Sequence, residues 1–172
     1  MIELPCQDPY EICEGMAGRD PRWALIEECR HTMRVINPYQ YEVGQCCVVT
    51  RRHVGTLLEL SDEETTAVLK AAKRVATALL GAFRPLGILT FQNNGVYSGQ
   101  MVPHYHLHVV PRQPDSDWGI GPPQLAVFED AGRVRGTKHD PAQDKERREQ
   151  VRRVEAAVLH DTANRIRASL PV

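Results

Sequence analysis

The chain has 172 residues, 42% of them hydrophobic, which is enough for one domain with a buried core. A formal net charge of -1 excludes a strongly basic nucleic-acid-binding surface, and there is no long apolar run to supply a transmembrane helix. The five cysteines (Cys6, Cys13, Cys29, Cys46, Cys47) form an odd set, and Met1-Ile2-Glu3-Leu4-Pro5 shows no basic-then-apolar leader. The expectation is therefore reduced thiols and a cytoplasmic location.

Residues 1–22 mix Cys, Pro, Gly and acids and predict an irregular arm with about one helical turn. Trp23 to Ile36 reads as strand, ending at Asn37-Pro38. Cys46-Cys47-Val48-Val49-Thr50 is apolar and partly β-branched, and predicts a buried strand. Ser61 and Glu64 have the spacing of a capping box. Val68, Leu69, Ala72, Val75, Ala76, Leu79 and Leu80 then repeat at the helical period, with Gly81 as the expected stop. Ile88 to Gln92 predicts another strand, which turns at Asn93-Asn94-Gly95. Residues 113–137 are rich in Pro, Gly and charge, and predict an extended surface loop that either stays peripheral or folds over a site. Asp140-Pro141 has the form of a helix start, and Val151, Val154, Val158 and Ile166 outline one stripe of a long C-terminal helix. Lys145 to Arg153 mixes charge signs and reads as its solvated face. The order β-β-α-β-β plus a helix defines an α+β domain spanning residues 1–172, whose core, at about 10–112, is the part that a family resemblance given below covers.

The chemistry concentrates in Pro103-His104-Tyr105-His106-Leu107-His108-Val109-Val110, which holds three of the seven histidines. On a strand, side chains alternate, so this spacing predicts three imidazoles on one face. Two chemistries suit such a face. The rings could hold a metal and act in metal-dependent hydrolysis, or one ring could attack phosphorus while its neighbours bind the phosphate oxygens. Asn93 and Gln100 bring neutral donors, Gly95 and Gly99 allow close backbone approach, and no acid occurs between Gly81 and Arg112. That neutral stretch favours phosphate over a hard cation.

Asn93-x-Gly95 followed by Gly99-Gln100-x-Val102-x-His104-x-His106-x-His108-Val109-Val110 resembles the signature of the histidine triad (HIT) nucleotide hydrolases and transferases. Val35-Ile36-Asn37-Pro38 through Gly44, then Val48-Val49 and Arg51-Arg52-His53-Val54, resembles the same family upstream. The resemblance implies a HIT-like antiparallel sheet with a central helix. It implies His106 as a nucleophile forming a nucleotidyl-histidine, His104 orienting it through its carbonyl, and His108 on the phosphate oxygens. It further implies that Asn93, Gly99, Gln100, Met101 and Val102 surround the phosphate and that Asn37 meets the ribose beside an apolar wall of Val35 and Pro38. The substrate implied is an AMP-like nucleotide, as a dinucleoside polyphosphate or a phosphoramidate. No cofactor is required, although Mg²⁺ can accompany polyphosphates, and the assembly implied is a homodimer with no nucleic-acid or membrane partner.

The chain departs from the family pattern at Asn37 (often Asp), Met101 (often Ser or Thr) and Gln45 (often His). These departures keep open a nucleotide-binding protein with weak catalysis. Many bacterial members bind structural zinc through a Cys-x-x-Cys pair and that same His. Tyr10 and Gln45 stand in two of those places, so the expectation here is no bound metal. His53 reads as a structural turn residue, and the cysteines as small buried thiols.

Overall fold

The computed structural model describes residues 2–6, 10–40, 42–114 and 152–172. Helix α1 spans Glu11–Met16, followed by strands β1 (Leu25–Glu28), β2 (Thr32–Ile36), β3 (Tyr39–Gln40) and β4 (Cys46–Thr50). Helix α2 covers Asp62–Phe83, and β5 (Gly87–Phe91) and β6 (His106–Arg112) follow it. After the undescribed segment come β7 (Arg152–Arg153) and helix α3 (Ala156–Ala168). Five strands form an antiparallel sheet in the order β1-β2-β4-β6-β5, while β3 and β7 pair separately. This is the expected α+β fold, with α2 central and α3 at the C-terminal end. Among the described residues no helix is long and apolar enough to cross a membrane.

Strands β2 and β4 are buried along their whole length, so both of their faces need cover. On one face, Cys46 and Val48 of β4 join Leu107 and Val109 of β6 beneath Val68, Ala72, Val75 and Leu79 of α2 and Leu159, Ala163 and Ile166 of α3. On the other, Cys47 and Val49 meet Met33, Val35 and Ile12, with Trp23 and Val102 packed against them. The cross-strand pairs Val49–His106 and Cys47–His108 put two histidines on that second face.

Four sequence expectations are corrected. Trp23 to Ile36 is two strands, because the chain turns at Cys29, whose N–H donates to the Thr32 carbonyl at 2.9 Å. Helix α2 runs past Gly81 to Phe83 and stops at Arg84 in the left-handed region (φ 50°). Gly81 is an exposed position within the helix, where a Cβ would make only an ordinary contact, 3.4 Å from that of Ser169. The C-terminal helix starts at Ala156, because Arg152–Arg153 pair with Tyr39–Gln40 as strand; its buried stripe is Leu159, Ala163 and Ile166, with Val158 exposed. Strand β6 starts at His106, leaving His104 just outside it. The expected loop at 113–137 and the Asp140-Pro141 helix start lie almost wholly outside the described residues.

The capping box at Ser61 forms as expected: the Ser61 hydroxyl accepts from the Glu64 N–H, and the Glu64 carboxylate accepts from the Ser61 N–H. Arg52 adds a two-pronged contact to the same carboxylate at 2.9 and 2.6 Å, tying the turn after β4 to the start of α2. Those Arg52 bonds are the main cause holding the Glu64 carboxyl down at about 2, with burial opposing and the Ser61 N–H assisting. A carboxylate with a depressed folded value stabilises the fold above its ordinary value of 4.5 and loses that contribution as the pH falls toward about 2. Thermal unfolding of the wild-type protein should therefore drop more steeply than that of Glu64→Gln across this window. Parallel pH profiles would remove Glu64 from the acid response.

Candidate functional site

Where β2 and β4 meet the N-terminal arm there is a cleft lined by Ile12, Trp23, Val35, Asn37, Pro38, Cys47, Val49 and Val102, with His106 and His108 along one wall. The apolar side is built from three elements. Val35 and Val49 project from adjacent buried strands, and Ile12 comes from α1. Trp23 can approach because Gly15 is bare: a Cβ at Gly15 would lie 2.1 Å from the indole ring.

The three histidines of the motif do different things. His106 Nδ1 lies 2.7 Å from the His104 carbonyl, which is the contact expected for an oriented nucleophile. His108 packs flat against Phe91 (centroids 4.4 Å apart, planes at 19°) and meets His106 edge-on at 4.9 Å. Its Nδ1 lies 3.2 Å from the Gln45 amide nitrogen and 3.3 Å from Cys47 Sγ. The His104 ring leaves this face, because alternation begins only at His106. His104 is fully buried, with Nε2 at 2.8 Å from the Thr50 carbonyl and Nδ1 turned toward Cys13 and His53. Thus two imidazoles face the cleft, and the third anchors the strand entrance.

Burial lowers the pKa of all three rings. His104 falls to about 4, with its Thr50 hydrogen bond opposing the shift and its neighbours His53 and His106 adding to it. His106 is lowered by burial, opposed by the His104 carbonyl and by Glu11. His108 is held well below its ordinary value by burial and then by His106. Neutral imidazoles are the form in which one ring nitrogen has a free lone pair.

The loop before the strand divides into lining and scaffold. Val102 reaches the cleft, and Asn37 lines it while accepting from the Tyr39 N–H at 3.2 Å. Asn93, Gly99, Gln100 and Met101 are not among the lining residues. Asn93 donates to the Gly99 carbonyl at 3.2 Å, and Gly99 adopts φ 83°. Gln100 is buried and committed to backbone: its amide nitrogen donates to the carbonyls of Gly55 and Val102, and its oxygen accepts from the Gly95 N–H at 2.6 Å.

Sequence reading missed the residues contributed by the arm. The stretch from Gly81 to Arg112 has no acids, but the site does, because Glu11 and Asp20 line the cleft. Arg22 partners Asp20 at 2.7 Å, keeping its carboxyl below the usual range, and approaches Glu11 at 3.8 Å. The helical spacing of Ile12, Gly15 and Met16 was the available signal, but only the fold shows that this turn covers β4.

A second cluster lies at the strand entrance. Cys13 Sγ is 3.4 Å from His53 Nδ1 and 3.5 Å from His104 Nδ1, and those two nitrogens are 3.3 Å apart. These are the three described residues whose donor atoms converge as a possible metal group, and Tyr10 packs on His53 at 4.7 Å. The expectation of no bound metal rested partly on Gln45 replacing a ligand histidine, whereas Gln45 sits at His108 and this cluster forms without it. One thiol and two imidazoles suit a borderline-soft divalent ion such as zinc, with three protein ligands.

Comparison with known proteins gives a family to this antiparallel sheet, crossed by one long helix and carrying alternating histidines on a cleft wall. The HIT domain family matches residues 32–115. The chain is 31% identical to Protein hit of Bacillus subtilis over 118 residues, covering 69% of this chain and 80% of that protein. It belongs to the HIT family. It is 33% identical to adenosine 5'-monophosphoramidase hnt1 of Schizosaccharomyces pombe over 45% of this chain and 55% of that protein. It is also 33% identical to the AP-4-A phosphorylase of Mycobacterium tuberculosis over 58% of this chain and 49% of that protein. The chain thus spans only about half the length of these two enzymes. A HIT-like protein from Bartonella henselae, described as involved in cell-cycle regulation, superposes with a TM-score of 0.69 at 20% identity, covering 95% of this chain and 98% of that one. A zinc-bound histidine triad family protein from Mycobacterium smegmatis gives 0.60 at 18% identity, covering 92% and 95%.

The three hydrogen bonds of Gln100 make it a structural prop for the loop. Replacement by Leu leaves buried backbone groups unpaired at roughly 1–3 kcal/mol each. Gln100→Leu should lose at least about 2 kcal/mol in urea unfolding, more than any single cleft-lining polar residue such as Asn37→Ala.

Proposed function

We propose that the chain is a nucleotide hydrolase or nucleotidyl transferase that cleaves at the α-phosphate of an AMP-type substrate, with His106 as the nucleophile. The observation that carries this reading is the partner of His106. A carbonyl oxygen can only accept, so Nδ1 of His106 holds the proton and Nε2 presents its lone pair. Attack forms the N–P bond as the bond to the leaving group breaks, and the departing oxygen or nitrogen takes the electron pair and then a proton. Water next adds at phosphorus, the N–P bond breaks, and the nucleoside monophosphate leaves with His106 neutral again.

His108 would donate to a phosphoryl oxygen, Asn37 would meet the ribose, and Ile12, Trp23, Val35 and Val49 would flank the base. The phosphoramidase and phosphorylase relatives support both P–N and P–O substrates without choosing between them. A metal-dependent hydrolase built on all three histidines has less support, since His104 points away from the other two. A homodimer working in the cytoplasm belongs to the same proposal. Leu69 and Leu80, exposed on α2, offer apolar pairing surface, and a doubled mass in sedimentation would read it.

Incubation with a nucleoside phosphoramidate or a dinucleoside polyphosphate should produce a nucleotidyl adduct on His106, detected by mass spectrometry of rapidly quenched protein. His106→Ala should lower turnover by at least about 10³-fold while leaving far-ultraviolet circular dichroism unchanged. Near-normal turnover in that variant across both substrate classes would sink the nucleophile assignment. Tight AMP binding with no turnover in the wild type would instead support a binding protein.

The Cys13, His53 and His104 cluster would hold a zinc-type ion that joins α1 to the end of β4 and the entrance of β6. Its part is structural, and no step of the reaction passes through it. Without a metal, burial and then Glu14 push the Cys13 thiol up, with Arg19 opposing, so binding would release its proton. Metal-free protein titrated with zinc should take up one equivalent and show a raised thermal midpoint, and Cys13→Ser should lose most of both effects. Equal zinc uptake by Cys13→Ser would remove the cluster as the site.

A further inference from the structure

From the surroundings of His108 we infer that Gln45 is a positioning residue that fixes which nitrogen of His108 carries the proton, making that ring an obligate hydrogen-bond donor toward the cleft. The inference rests on the nucleotide-cleaving reading for its use, but its structural content stands apart from that reading.

Gln45 is fully buried immediately before β4. Its backbone is held on both sides: its N–H donates to the Glu42 carbonyl at 3.0 Å, and its carbonyl accepts from the Asn37 N–H at 2.9 Å. Gly44 precedes it at φ 93°, where a Cβ would lie 2.8 Å from the Phe83 ring, so the turn admits little else. The Gln45 side chain therefore leaves a fixed point, and its amide nitrogen reaches Nδ1 of His108 at 3.2 Å.

An amide N–H needs a lone pair opposite it. Cys47 Sγ, 3.3 Å from the same nitrogen, is pushed up by burial and keeps its hydrogen, so it is compatible with a bare Nδ1 but does not by itself decide the tautomer. The Gln45 amide N–H, a donor only, directed at Nδ1 leaves that nitrogen unprotonated. A neutral imidazole then carries its hydrogen on Nε2, at the other end of the ring. Phe91, stacked on His108, limits rotation that would exchange the two ends.

The outcome is a pair of adjacent rings in opposite tautomers. His106 has Nδ1–H held by a carbonyl and a free Nε2 lone pair. His108 has a filled Nδ1 acceptor and a free Nε2–H. One ring is set up to attack, and its neighbour is set up to donate to the oxygen on which charge grows. Glutamine suits the donor role because its amide does not titrate, so the arrangement does not depend on a further proton equilibrium.

The test begins with the wild-type protein and no substrate. Nitrogen-15 NMR of histidine-labelled protein should show His108 with Nε2 protonated and Nδ1 bare, while His106 shows the reverse. Gln45→Met, of similar size and without a donor, should mix the two His108 forms. It should lower kcat on a nucleoside phosphoramidate by about tenfold with little change in KM, as expected for losing part of one preorganised donor. Gln45→His restores an N–H and should recover most of kcat and the single His108 form.

A His108 ring protonated at Nδ1 in the wild type would overturn the inference, even if neither variant folds. Unchanged His108 spectra and unchanged kcat in Gln45→Met would overturn it as well. Failure of the nucleotide reading would appear separately, as undiminished turnover in His106→Ala, and would leave the tautomer measurement valid.

Discussion

The contact between the Nδ1–H of His106 and the carbonyl of His104 organises the site more than any other interaction. At 2.7 Å it is a firm hydrogen bond to a group that cannot reverse its role. It fixes Nε2 as the nitrogen that carries the lone pair of the neutral His106 ring, and burial favours that neutral form. The backbone position is set in turn by what holds residue 104. The Thr50 carbonyl receives Nε2 of His104, and the Tyr105 N–H donates to the Val54 carbonyl at 2.6 Å. The Cys13 and His53 cluster lies on the remaining ring nitrogen of His104, so the arm and the strand entrance meet at the residue that orients His106.

This arrangement depends on a strand with two different faces. In β4, Cys46 and Val48 pack toward α2, while Cys47 and Val49 pack toward the cleft. Register with β6 carries the same division across, so Leu107 and Val109 enter the core and His106 and His108 line the cleft. A one-residue slip would bury both imidazoles beneath the helix and expose Leu107 and Val109. The apolar packing of α2 and α3 therefore positions the histidine-bearing face from the opposite side of the sheet.

What was legible in the sequence follows from how local each signal was. The capping box at Ser61 and the period of α2 are local, and both formed. The neighbouring strands β5 and β6 were also readable, because turn residues bound them. The His104 carbonyl contact could be anticipated from the motif. The separation of the His104 ring could not, because alternation was extended two residues beyond the true start of β6. The split of Trp23 to Ile36 depended on one turn at Cys29, and the C-terminal helix was overextended because a two-residue strand pairing has no compositional mark. Glu11, Asp20 and Trp23 were hidden for a different reason. They lie tens of residues from the motif and reach it only because α1 folds over β4.

Those arm residues alter how the cleft can be expected to handle an anion. Among the described residues, Glu11 and Asp20 are the charged groups lining it, and both are acids, with Arg22 offsetting Asp20 from alongside. The imidazoles facing it are held toward neutrality by burial. Among the described residues, any attraction for a phosphate would therefore come from directed N–H groups more than from net positive charge. Such donors act over a short range and reward one geometry, so they favour the oxygen where charge builds during attack over a resting phosphate nearby. The ordering of protons on His106 and His108 is accordingly the feature on which both attack and stabilisation would turn, and it is set by backbone and amide groups that do not titrate.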